Sequence, residues 1–366
     1  MRRTPFFIAV CAVFTLASCA DSASKPARQT VAEESDVAGQ TGYDDSASEA
    51  MFATCRAAQP VGSRPLRVVT SVSPLTSIAG ILAAGTDIVV TGLIPEGTNS
   101  HTFEPPPSAA QTIAQADLII LNGLGLEEPL LKLAETNKKK GAVVCEAGTA
   151  ALPRSEWVFD TSFPESAGKP NPHAWTNPPH ALRYVNAIRD SMTAMAPSTI
   201  PTVDANYVKL SAVVNALDEA MKKATETVPV RNRSLLTYHD SFPYFARHFK
   251  YEVIGAIQPQ SFSDPSAKEV ADIIKQVKDS GVPAIFGSEV FPSPVLEQIG
   301  KETGARYVDS LRDDDLPGQP GEADHSWAGL MKYDFVTIVK NLGGDPAPVE
   351  SVKVDLGLKD RATYPQ

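Results

Sequence analysis

Positive charge is in deficit along this chain. Its 33 lysines and arginines are outnumbered by 43 aspartates and glutamates, giving a formal charge of -10 over 366 residues. Phosphate neutralisation needs clustered Lys and Arg, so a nucleic-acid partner is excluded; a cationic ligand is electrostatically easier. Long hydrophobic runs are also scarce. Phe6 to Leu16 is apolar, but a bilayer span takes roughly 20 such residues, and no second run approaches that length. Histidine occurs six times and never as His-Glu-x-x-His, which removes one familiar zinc-hydrolase signature. Cysteine occurs four times. The 43% of hydrophobic residues is ample for the cores of two ordinary domains.

What is present starts with Arg2 and Arg3 ahead of Phe6–Leu16, the charged and apolar regions of a secretory signal. Leu16-Ala17-Ser18-Cys19 then looks like a bacterial lipobox. Residues 1–18 are expected to be removed and Cys19 to carry lipid. Several acyl chains, at about 0.8 kcal/mol per buried methylene, hold a protein firmly to a membrane. The expected location is extracytoplasmic, at the cell membrane. Residues 19–62 are rich in Ser, Ala, Asp and Glu without apolar periodicity, which predicts a flexible tether. Cys55 and Cys145 are the thiols left beyond the signal. In an exported protein they either form one disulfide, the expectation taken here, or remain two separate buried thiols.

From Leu66 the pattern alternates. Strands are predicted at Leu66–Thr70, Asp87–Ile94, Asp117–Leu121 and Ala142–Cys145, with helices between them. The alternation restarts with strands at Ser234–Tyr238, Tyr251–Ile257, Ala284–Phe286 and Arg306–Val308. Strand–helix alternation implies mostly parallel sheets covered by helices. Between the halves, Val203, Tyr207, Leu210, Val214, Leu217, Met221 and Ala224 form one helical stripe bracketed by Pro201 and Pro229. The expected fold is α/β, with two lobes at 63–200 and 230–366 joined by one rigid helix at 201–229 and a ligand in the cleft.

Three histidines fall in loops. His101 follows the second strand, His173 sits in Asn171-Pro172-His173-Ala174-Trp175, and His239 ends the fifth strand. Ligands of open α/β sheets gather at the carboxyl ends of strands. By the same logic Asp309 or Glu289 offers a fourth group. Three imidazoles and a carboxylate suit a borderline metal ion. The separations of 72, 66 and 70 residues are far too long for a local zinc motif. Of the other histidines, His180 is expected in a solvated first helical turn and His248 on a helix surface. His325 is expected in a solvated acidic loop after Asp313-Asp314-Asp315.

Pro-Glu-Gly-Thr-Asn-Ser-His-Thr-Phe-Glu-Pro around His101, Pro-His-Ala-Trp around His173 and Tyr-His-Asp-Ser-Phe-Pro-Tyr-Phe-Ala-Arg around His239 resemble three signatures of one family. Ser266-Ala267-Lys268-Glu269 and Val308-Asp309-Ser310-Leu311 resemble further segments of it. The family is that of the zinc- and manganese-binding solute-binding lipoproteins of ABC importers, the ZnuA/TroA-like proteins, and the likeness runs from about Leu66 to Leu342. It implies two α/β lobes bridged by a helix, with His101, His173, His239 and Asp309 holding one Zn2+, or alternatively Mn2+. The ion is cargo for a membrane permease, and a monomer is expected. Asn99-Ser100 stands where the family usually has Asp-Pro, and Asn171 where it has Asp. Both changes remove nearby negative charge, and no His-rich loop follows the first motif. A surface adhesin is the alternative reading. An enzyme is not expected, because four protein ligands leave no open position on the metal. Zinc is expected to bind above manganese, and binding to weaken below about pH 6, since neutral imidazole is the ligating form.

Overall fold

The structure is a computed structural model that describes residues 44–57, 59–160, 162–256, 265–288 and 293–365. The expected signal, Cys19, the start of the tether and Glu289 lie outside the described residues. The first half runs α1 (Ser46–Arg56), β1 (Arg67–Thr70), α2 (Ser73–Ala83), β2 (Val89–Gly92), α3 (Pro107–Gln115), β3 (Leu118–Leu121), α4 (Glu128–Asn137), β4 (Val143–Glu146), α5 (Ala147–Ala151) and α6 (Pro178–Met195). Then come α7 (Ile200–Thr227), β5 (Ser234–Thr237), α8 (Pro243–Phe249), β6 (Glu252–Ala256), α9 (Ala267–Ser280), β7 (Ala284–Ser288), α10 (Pro294–Thr303), β8 (Arg306–Leu311), α11 (Trp327–Asn341) and α12 (Ala347–Glu350).

Two four-stranded sheets result, ordered β2-β1-β3-β4 and β6-β5-β7-β8, with every strand pair parallel. The shared order explains the restart of the sequence pattern: each half is wound the same way. β3, Leu-Ile-Ile-Leu, is buried on both faces, as its unbroken apolar run requires. In the second sheet the pairing of β7 with β8 shifts register between Phe286 and Ser288, which face Val308 and Leu311. Three residues of β8 thus span two of β7, a bulge.

α7 holds the halves together. Its 28 residues, about 42 Å at 1.5 Å each, bury Val203, Leu210, Val214, Leu217, Met221 and Ala224. One end packs on α2 and α6, the other on α8, α11 and α12. Tyr207 of the expected stripe is half-buried and lies under the Arg189 guanidinium. Buried Asn206 donates to the Leu82 and Ala84 carbonyls, satisfying acceptors at the end of α2. Every residue of α2 is buried. The two sheets share one hydrophobic core through α2, α7 and α11, and a smaller core lies between the second sheet and α9 and α10. The helix is therefore not the only link. Trp327 at the start of α11 donates its backbone N–H to Ser77 of α2 at 2.9 Å and its ring N–H to the Trp175 carbonyl at 3.1 Å.

The tether expected over 19–62 is shorter than its composition suggests, because residues 46–56 form α1. Ser48 and Cys55 are its buried residues. It is held by tertiary contacts with β4, α5 and α6, and by a disulfide from buried Cys55 to Cys145 of β4, with Cα atoms 4.8 Å apart. Asp45 adds bonds to the Ser155 backbone and hydroxyl at 3.0 Å each. The disulfide closes a 90-residue separation. Such a loop constrains the unfolded chain strongly, and losing a disulfide of this kind costs about 2–5 kcal/mol. Replacing Cys55 and Cys145 by Ser should lower the unfolding free energy by about that amount and free α1, so that trypsin cuts after Arg56 before it cuts the remainder. Denaturant melts and timed proteolysis check both.

Candidate metal centre

The three motif histidines meet. Their Nε2 atoms form a triangle with all three edges 3.1 Å: His101 to His173, His101 to His239 and His173 to His239. Among the described residues this is the group of His, Cys, Asp and Glu side chains whose ligating atoms all lie within 4.8 Å of one another. His173 and His239 are buried and His101 is half-buried. Zinc–nitrogen bonds are ~2.0–2.1 Å, so an ion bonded to all three nitrogens sits about 1 Å off their plane. That is one face of a tetrahedron, with its fourth corner open to another donor.

Local structure aims each ring. Asn99 Oδ1 accepts the His101 N–H at 2.9 Å, tightening the loop in place of a proline. The Thr176 hydroxyl donates to the His173 carbonyl, and the Trp175 and His173 rings pack edge to face at 5.1 Å. The Thr237 hydroxyl and Ser241 N–H both donate to the His239 carbonyl, fixing the turn that leaves β5. Phe163 lies against His101 and His173, with ring centroids 5.8 and 6.2 Å away.

Asp309 is not brought to the triangle. It is exposed in the middle of β8, where its charge acts on Tyr307. The strand continues through the bulge to Leu311, past the end at Val308 expected from the sequence. Its carboxyl end is therefore the run Asp313-Asp314-Asp315. That run is not a solvated loop: Asp315 is buried and Asp313 and Asp314 are half-buried. Asp313 accepts from the Ser241 hydroxyl at 2.8 Å, beside His239, and its carbonyl accepts from Trp175. Asp314 pairs with Ser100, beside His101, and Asp315 accepts the Gly97 N–H at 2.7 Å. The signal for these neighbours in the sequence was an Asp triplet a few residues beyond the expected strand end at Val308.

His180 and His325 also depart from expectation, since both are buried. His180 pairs with Glu156 at 2.9 Å and His325 with Glu96 at 3.2 Å. His248 is half-buried and bonded to Asp218 of α7 at 2.6 Å.

Desolvation dominates the electrostatics. Burial holds all three motif imidazoles below the usual histidine range. His239 is brought down to about 4, and His101 and His173 are lowered further by the neighbouring rings. Burial pushes the Asp313, Asp314 and Asp315 carboxyls up, aided by their mutual repulsion, and pushes Asp240 up, aided by Asp160. Neutral nitrogen lone pairs and crowded carboxyls in one cleft are the environment that a divalent cation relieves.

Two parallel sheets with a nitrogen triangle between their loops define a fold with a group that could hold a cation between its halves. The chain belongs to the family described as zinc-uptake complex component A, periplasmic, whose model matches residues 68–341. Proteins of this family are metal-binding components of ABC importers. The iron-binding protein YfeA of Yersinia pestis is 27% identical over 281 residues, 77% of this chain and 88% of that protein. The manganese-binding lipoprotein MntA of Halalkalibacterium halodurans is 26% identical over 277 residues, 76% of this chain and 88% of that protein. The solved periplasmic zinc-binding protein TroA of Treponema pallidum shares the fold, with a TM-score of 0.69 at 23% identity over 76% of this chain and 99% of its own. No helix among the described residues is long and apolar enough to cross a membrane.

The depressed imidazoles have a consequence for acid. With His239 at about 4 when folded and an ordinary value of 6.5 otherwise, its contribution to stability is full above 6.5. It is lost as the pH falls towards 4, because the unfolded chain takes up the proton first. The buried carboxyls act in the opposite sense, so a comparison with His239→Gln isolates the imidazole. In metal-free protein the stability difference between wild type and that variant should shrink by about 2 kcal/mol between neutral pH and about pH 5. Histidine ring resonances should show His239 still neutral there; a midpoint near the ordinary value would contradict this.

Proposed function

We propose that the chain captures zinc outside the cytoplasm and delivers it to the membrane permease of an ABC importer, with His101, His173 and His239 as ligands. The observation that carries this is the Nε2 triangle of 3.1 Å edges. Three neutral imidazoles favour zinc over manganese, which prefers oxygen donors, and the intrinsic divalent order points the same way. The fourth donor comes from the carboxyl end of β8, from Asp313 or Asp314, in place of Asp309. Those carboxyls also support the competing reading, manganese as cargo, because they are hard oxygen donors. The lipobox supports anchoring through Cys19, with the protein acting as a monomer on the membrane surface.

Each of His101→Ala, His173→Ala and His239→Ala should weaken zinc binding by at least ~100-fold, more than the loss of an outer-shell group, with unchanged circular dichroism. Asp313→Asn or Asp314→Asn should weaken it clearly, and Asp309→Asn hardly at all. Competition titration of metal-free protein with zinc and manganese decides the cargo; manganese binding as tight as zinc overturns the zinc assignment. Proton competition should set in below the pH 6 region expected from an ordinary histidine, because the folded imidazoles resist protonation. Separately, Cys19→Ala should abolish radiolabelled lipid incorporation and release the protein from membranes.

A further inference from the structure

One fully buried amide touches both sides of the site. Asn171, two residues before His173, is 0% exposed. Its Oδ1 accepts the His173 backbone N–H at 3.0 Å and lies 2.8 Å from His173 Nδ1. Its Nδ2 donates to the Asp240 carbonyl at 2.6 Å and to Asp160 Oδ2 at 2.9 Å. The backbone on either side is fixed as well: the Asn171 N–H donates to the Val158 carbonyl at 2.9 Å, and its own carbonyl accepts from the Tyr244 hydroxyl at 2.9 Å.

A backbone carbonyl only accepts, so the end of the amide facing Asp240 must be the NH2. The other end is then the oxygen, and an oxygen 2.8 Å from Nδ1 requires the proton on Nδ1. His173 is left with its lone pair on Nε2, the atom in the triangle. Asp240 directly follows His239, so the same amide ties the second ligand to the third across the cleft.

We propose that Asn171 is a positioning residue for the metal centre, using both ends of its amide: the oxygen selects the His173 tautomer, and the nitrogen holds His173 in register with His239. This rests on the metal-binding reading above. A carboxylate at this position keeps the acceptor for Nδ1 but loses both donated bonds and sets an oxygen against the Asp240 carbonyl and Asp160. Restoring negative charge beside the metal should therefore weaken binding and not strengthen it.

The test uses the full-length chain at neutral pH. Nitrogen-detected NMR of labelled histidine in metal-free wild type should show His173 protonated at Nδ1; protonation at Nε2 overturns the proposal without any variant. Asn171→Leu, similar in size but without polar atoms, should release the tautomer preference and lower zinc affinity 10- to 100-fold, the usual outer-shell effect. Asn171→Asp should keep the tautomer yet bind zinc at least ~10-fold more weakly, within the same outer-shell range. An Asn171→Leu protein with His173 still wholly protonated at Nδ1, or an Asn171→Asp protein binding zinc within about twofold of wild type, overturns it. Wild type that fails to bind zinc at all sinks the metal reading alone, since the tautomer is read without metal.

Discussion

Everything at the site follows from the closeness of three nitrogens that repel protons. Three imidazoles 3.1 Å apart at Nε2 share a space too small for three ring protons and too dry for a charged ring. Burial favours the neutral form of each ring, and neutral imidazole is the form that could share a cation between them. Such an arrangement persists only when its scaffold cannot relax. The fused core of α2, α7 and α11 provides that stiffness, because the two sheets cannot drift apart without opening buried apolar surface.

The carboxyls around the triangle supply the second half of the electrostatics. Asp313, Asp314 and Asp315 bond to Ser241, Ser100 and Gly97, each within four residues of a motif histidine. This acidic run is therefore a third wall of the site, contributed by the second sheet, clasping the loops of His101 and His239. Burial and mutual repulsion raise its carboxyls to about 7, so a nearby divalent ion would favour their charged form.

Relatives described as binding iron, manganese and zinc share this scaffold. A scaffold that accepts different ions leaves the choice of cargo to donor identity and to the groups that orient the donors. In this chain the groups that could fill those roles are three imidazoles, a run of aspartates and a neutral amide at Asn171.

The sequence by itself determined the element types, the α/β class and the three histidines. Strand runs, the stripe on α7 and the turn chemistry around each histidine are local patterns, set by residues within a few positions of one another. The loops of His101 and His239 follow β2 and β5, whereas His173 sits in the turn that leads into α6. Only the tertiary structure placed the carboxylates around them: Asp309 is exposed, while Asp313, Asp314 and Asp315 bond to the loops of His101 and His239. A bulge in β8 extends the strand by three residues and leaves Asp309 exposed in mid-strand, and no local pattern announces one extra residue in a ladder whose partner is β7. The same holds for α1, whose helical state depends on β4, α5, α6 and a bond to Cys145. It holds also for His180 and His325, buried by partners 24 and 229 residues away. Periodicity reports which face of an element is apolar; burial and pairing of polar groups depend on what the rest of the chain brings against that face.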